Sequence, residues 1–108
     1  MINSRNKGAV GEREFAKFLR GKQIDARRGQ QHAGGPDSPD VVSDLTGIHF
    51  EVKRVEKGNL YEWLEQAIRD GVGKIPIVAH RRNSEQWVAI LPMEDLLDLL
   101  IIREGTLL

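Results

Sequence analysis

The sequence contains no cysteine, so neither disulfide staples nor thiolate metal sites are open to it. Aromatic residues are few, at 6%. No apolar run approaches the roughly 20 residues that a membrane helix needs, and residues 1–5 lack the apolar core of a secretory leader. Net charge is absent as well, with 16 Lys+Arg against 16 Asp+Glu. These absences exclude a disulfide scaffold, a thiolate zinc finger and a membrane-spanning helical protein. The expectation is a cytoplasmic chain of 108 residues forming one domain, 1–108, around one modest core.

Zero net charge is a weak credential for binding phosphates, but the charge is unevenly spread. Residues 1–31 carry eight basic side chains (Arg5, Lys7, Arg13, Lys17, Arg20, Lys22, Arg27 and Arg28) against three acidic ones (Glu12, Glu14 and Asp25). From Gln86 onward the balance reverses, with Arg103 against Glu94, Asp95, Asp98 and Glu104. A basic N-terminal surface can meet a nucleic-acid backbone and release its counterions. For Arg13, Lys17 and Arg20 an ordinary solvated helix face is the alternative.

Asn3 or Ser4 caps a predicted helix that runs to about Gly21. At about 100° per residue, Phe15, Phe18 and Leu19 form its apolar stripe, with Gly8, Gly11 and Ala16 on or beside it. Glu12 falls inside the stripe; Glu14 points away from it, as an ordinary helical glutamate does. A carboxylate aimed at a core is costly unless paired or bound to a cation. Glu12 is therefore the most informative residue of this helix, and an ion pair with a basic neighbour is the competing explanation. A strand over 24–28 follows, then a loop over 29–38 whose length favours a functional segment over a passive connector.

The rest of the chain is organised around residues 39–53. Pro39-Asp40 leads into the apolar strand Val41-Val42, Thr46-Gly47 makes a tight turn, and a second strand from Ile48 to Val55 carries Glu51-Val52-Lys53. Side chains alternate along a strand, so Phe50 and Val52 share the core face and Glu51 and Lys53 the other. Asp40 and Glu51 lie at a similar distance from the turn on neighbouring antiparallel strands, so two carboxylates and an ammonium converge. Mg²⁺ keeps most of its waters and is bound through one or two carboxylates plus substrate phosphate. A lysine beside it can orient or deprotonate a water, or offset charge in a transition state. The competing explanation is an exposed strand face with Asp40 as a turn residue; Pro-Asp at the entry of an apolar strand favours the site.

Pro39-Asp40 followed by Glu51-Val52-Lys53 resembles the signature of the PD-(D/E)XK nuclease superfamily. Nearly the full length is similar to small Holliday-junction resolvase-like nucleases of archaea and bacteriophages, through Gly8, Gly11 and Glu12, the tract Arg27-Arg28-Gly29, and Gln66-Ala67. The resemblance implies a metal-dependent DNA endonuclease. Asp40 and Glu51 would be Mg²⁺ ligands, with Mn²⁺ able to substitute. Glu12 would reach the metal directly or through water, Lys53 would act on the attacking water, and Gln66 would play an accessory part or be a plain boundary residue. Arg5, Lys7, Arg27, Arg28, Gln31 and His32 would contact DNA. His32 either approaches the scissile phosphate or is a surface histidine; archaeal resolvases place a small hydroxyl residue in this loop, and Gln31-His32-Ala33 departs from that. Asp37 sits in a second Pro-Asp pair, but no strand follows it. The expected substrate is a four-way junction. Duplex or flap DNA is the alternative, and a catalytically silent DNA-binding protein is the reading from another class. No small-molecule cofactor and no membrane are implied.

Beyond Val55, Asn59 caps a helix with Glu62 at the capping-box position and Gly71 at its end. Leu60, Leu64, Ala67 and Ile68 are expected to face the core, with Gln66 at the stripe's edge beside Trp63. Strands over 75–80 and 86–91 flank a polar turn, and Pro92 opens a last helix to about Arg103. The order α-β-β-β-α-β-β-α predicts an α/β fold, a mixed sheet flanked by helices, in agreement with the restriction-endonuclease-like core of the superfamily. In the last helix Met93, Leu96, Leu97, Leu99, Leu100 and Ile101 spread over an arc of about 200°, where one core needs little over 100°. Ile102, Leu107 and Leu108 add to it. The excess predicts a symmetric homodimer, as does a substrate with matched strands; a loop or tail folded over the surface is the alternative.

Overall fold

The apolar stripe of the first helix is the surface on which the sheet is laid. In the computed structural model, residues 4–29 and 40–105 are described, residues 4–7 by backbone alone. Helix α1 (Ser4–Gly21) is followed by strands β1 (Ala26–Arg28), β2 (Val41–Ser43) and β3 (Ile48–Lys53), helix α2 (Leu60–Asp70), strands β4 (Ile75–His80) and β5 (Val88–Ile90), and helix α3 (Met93–Glu104). The strands form one sheet in the order β1-β2-β3-β4-β5. Only β3 and β4 run parallel, because α2 carries the chain back between them; the other neighbours are antiparallel. The expected α/β order is thus the observed one.

Alternation along β3 divides the molecule into two layers. Phe50, with Ile48 and Val52, turns toward α1, where Phe15, Ala16 and Leu19 close over it together with Ala26, Val41 and Ala79. Phe15 meets Phe50 edge-on at 5.2 Å between ring centroids and Trp87 at 4.9 Å. The opposite face carries His49, Glu51 and Lys53, and α2 packs over β3 and β4 on that side. Asn59 caps α2 as expected, accepting from the Tyr61 and Glu62 N–H groups at 3.0 and 3.2 Å. Gly71 ends it, and its lack of a side chain lets the chain pass against His49, where a Cβ would stand 2.5 Å from His49 Cβ and 2.6 Å from its ring Cγ.

Several expected boundaries and burials differ. Strand β1 starts at Ala26, not Ile24, because Gln23 (φ 67°) and Ile24 reverse the chain, the Ile24 N–H bonding the Leu19 carbonyl at 3.1 Å. Strand β3 stops at Lys53 rather than Val55, and β5 covers only Val88–Ile90. Phe18 remains 43% exposed at the rim, stacked on Phe15. Leu60 and Ile68, expected in the core, are 46% and 49% exposed, and Ala67 is the buried residue of α2. The floor beneath α2 is mixed, apolar at Pro76 and Val78 of β4 and polar at His49 and Glu51 of β3, and Leu60 and Ile68 lie outside it. Glu14 is no ordinary exposed glutamate either: it binds Arg54 at 3.1 Å and also Arg81, tying α1 to the exits of β3 and β4. The described residues contain no helix long and apolar enough to cross a membrane.

Candidate active site

Four ionisable side chains are buried among the described residues, and they are neighbours in the fold: Glu12 (7% exposed), Asp40 (8%), His49 (2%) and Glu51 (5%). Burial of this kind rules out the solvated-strand explanation for Glu51. The β2–β3 hairpin accounts for the convergence. Val41 pairs with Phe50, which sets Asp40 across from Glu51, and Asp40 Oδ2 accepts the Val52 N–H at 2.7 Å. The carboxylate is thereby fixed to the partner strand's backbone.

Electrostatics at Asp40 are unfavourable for two anions. Burial first, then the Glu51 carboxylate, push the Asp40 carboxyl from its ordinary 3.8 up to about 7; the Val52 N–H works against the rise and the Glu12 carboxylate adds to it. A cation between Asp40 and Glu51 would relieve both causes. Among the described residues no three His, Asp or Glu side chains are grouped closely enough to hold an ion. Two carboxylates are nevertheless an adequate protein share for Mg²⁺, whose remaining positions go to water and phosphate.

The other candidates surround this pair. Glu12, on the inward stripe of α1, receives the Arg28 Nε–H at 2.7 Å, a partner from β1 sixteen residues along the chain. Lys53 Nζ donates to Gln66 Oε1 at 3.0 Å, so α2 orients the ammonium through an amide. Arg27 is exposed on β1, whereas Arg28 divides its guanidinium between solvent and Glu12. Pro39, Gln31 and His32, and the side chains of Arg5 and Lys7, lie outside the described residues. One site residue escaped the sequence reading: His49 Nε2 lies 3.4 Å from Glu51 Oε1. The signal was the alternation itself, since His49 precedes Glu51 by two and must share its face.

A family model described as "Phage putative PDDEXK endonuclease" matches residues 3–104. The chain belongs to this PD-(D/E)XK endonuclease family. No curated protein matches it. Among solved structures it is similar to Archaeoglobus fulgidus Hjc, a Holliday junction resolvase from an archaeal hyperthermophile, with a TM-score of 0.53 and 23% identity over 77% of this chain and 73% of that one. At that identity the likeness is one of fold. The letters of the PD-(D/E)XK motif fall on Asp40, Glu51 and Lys53, the side chains that the hairpin and α2 gather.

Proposed function

We propose that this PD-(D/E)XK chain is a Mg²⁺-dependent DNA endonuclease that hydrolyses phosphodiester bonds of four-way junctions and works as a symmetric homodimer. The observation that carries the reading is the buried pair Asp40 and Glu51, held across one hairpin with the Asp40 carboxyl pushed up to about 7. Such a pair is stable as two anions only with a cation present. Asp40 and Glu51 would hold the ion, which when bound polarises the phosphate and lowers the pKa of a bound water. Mn²⁺ meets the same donor set.

The chain's own groups supply the rest. Lys53 directs an ammonium, oriented by Gln66, toward charge growing on the phosphate oxygens or toward the attacking water. Glu12 and His49 hold the arrangement in place, the first through Arg28 and the second beside Glu51. Arg27, with Arg5, Lys7, Gln31 and His32, is assigned to DNA. The likeness of fold to a junction resolvase supports the branched substrate, and the exposed apolar face of α3 supports the dimer.

Incubation of the purified protein with a four-way junction, a flap and a linear duplex of matched sequence, with and without Mg²⁺, tests the whole reading. The expected result is paired, Mg²⁺-dependent nicks in the junction, with Ca²⁺ supporting binding but not cutting. Equal cutting of linear duplex moves the assignment to a duplex nuclease. Binding with no cutting under any divalent ion moves it to a silent DNA-binding protein.

A further inference from the structure

A concavity of about 480 Å³, lined by none of Glu12, Asp40 and Glu51, reaches His80, the neighbour of Lys53, and has a size at which pockets take small ring systems. It opens on the Lys53 face of the sheet. Lys53 and His80 are register partners on parallel β3 and β4, so their side chains leave the sheet on the same side. Helix α2 brings Gln66 to Lys53 and, one turn earlier, Trp63 to His80, with ring centroids 4.8 Å apart. Gly58 backs the indole: a Cβ there would stand 2.0 Å from Trp63 Cζ2. His80 Nε2 donates to the Val55 carbonyl at 2.9 Å, which leaves Nδ1 to accept a hydrogen bond. The lining holds two cations, Lys57 and Arg82, and two acids, Glu56 and Glu85. That balance suits a neutral flat ring and not a phosphate.

We propose that this pocket receives an unpaired base of the DNA strand being cut, stacked on Trp63 with its edge toward His80. The inference rests on the nuclease reading above, because the base lies beside Lys53 and hence beside the phosphate that is hydrolysed. A base inside a duplex has both faces covered by its neighbours and cannot use the indole. At a branch point unstacking costs less, so the pocket favours branched over linear DNA, through a contact indifferent to base identity.

Two measurements separate this pocket from the chemistry. In Ca²⁺ or without metal, tryptophan fluorescence of the wild type is expected to be quenched by a four-way junction and by a single-stranded oligonucleotide, and not by blunt duplex or free mononucleotide. Trp63→Phe keeps a stacking ring but leaves Trp87, packed against the core, as the only fluorophore, so it should retain junction binding by anisotropy and lose the quench. In Mg²⁺, Trp63→Leu and Gly58→Ala should each raise KM for the junction about tenfold, the weight of one base stack, with duplex binding unchanged. Quenching by the mononucleotide equal to that by the junction assigns the pocket to free nucleotides and overturns the proposal. So does an unquenched wild type that anisotropy shows bound to junction, or Trp63→Leu and Gly58→Ala variants, folded by circular dichroism, that cut junctions with wild-type KM. A wild type that is quenched by junctions yet cuts nothing sinks the nuclease reading alone.

Discussion

The Asp40 proton bears on stability and, on the proposed function, links it to catalysis. The folded chain holds this proton more tightly than the unfolded one, so Asp40 contributes stability that is complete below 3.8 and is lost as pH rises to about 7. On the proposed function Mg²⁺ would bind the deprotonated pair and act in the opposite sense. Without divalent ions the Tm should therefore fall as pH is raised through that window, and the Tm increment produced by Mg²⁺ should grow over it. Asp40→Asn should flatten both trends, stay folded, bind DNA and cut nothing; near-normal Mg²⁺-dependent nicking by this variant would remove the central claim. Lys53 is proposed to act differently. Lys53→Ala should lower the single-turnover rate by about 10²–10⁴-fold, the usual weight of a positioned proton-transfer group, with little change in DNA affinity. Arg27→Ala should do the reverse, weakening binding and flattening its dependence on salt by about one counterion. Arg28 is the poorer probe of phosphate contact, because its loss also strips Glu12 of a partner.

At the scale of elements, the site depends on how closely α1 approaches the end of β3. Gly11 makes that approach possible: a Cβ there would stand 2.5 Å from Arg54 Cβ, an atom near the backbone with little freedom to move. Arg54 in turn binds Glu14 of α1, and the Arg81 guanidinium joins the same carboxylate. For Gly8, one turn away, no atom of the described residues lies within 4 Å of where a Cβ would stand. Alanine is the better helix former by about 1 kcal/mol, so Gly8→Ala should raise stability by up to about that amount. Gly11→Ala should lower it by about 1–3 kcal/mol, the cost of overpacking, and should slow cleavage because Glu12 rides on the displaced helix. Urea denaturation of the two variants side by side tests the pair, and equal effects would show that the approach at Gly11 is not tight.

For the whole molecule, the question is what covers α3. None of its described side chains is fully buried, and Met93 (65% exposed), Leu97 (49%), Leu100 (43%) and Ile102 (69%) face outward. Leu96, Leu99 and Ile101 are half-buried, and Met93, Leu97 and Leu100 form a bare apolar strip between the positions of Leu96 and Ile101, with Ile102 apart from it. An apolar strip of this kind in a small domain is most simply closed by its own copy about a twofold axis. Sedimentation equilibrium at micromolar concentration should give the mass of a dimer, and Leu97→Glu combined with Leu100→Glu should halve it and abolish paired nicking. A monomer that still cuts both strands of a junction would refute the dimer.

The sequence by itself determined what depends on local spacing. Helix α2 could be placed from Asn59 and Gly71, the two faces of β3 from strict alternation, and the opposition of Asp40 and Glu51 from their distances to one turn, because caps, pleats and tight turns are settled by residues a few positions apart. The inward Glu12 was legible in the same way, from its angle on α1. Only the tertiary structure decided who meets it: Arg28, from a strand whose approach no periodicity encodes. It likewise decided that Glu14 bridges to Arg54 and Arg81, that His49 lies against Glu51, and that Leu60 and Ile68 of α2 are left outside the core. The proton affinity of Asp40 belongs to the same class. Burial and the fields of Glu51 and Glu12 act through space, and the distances that set them exist only once the sheet has brought separate segments together.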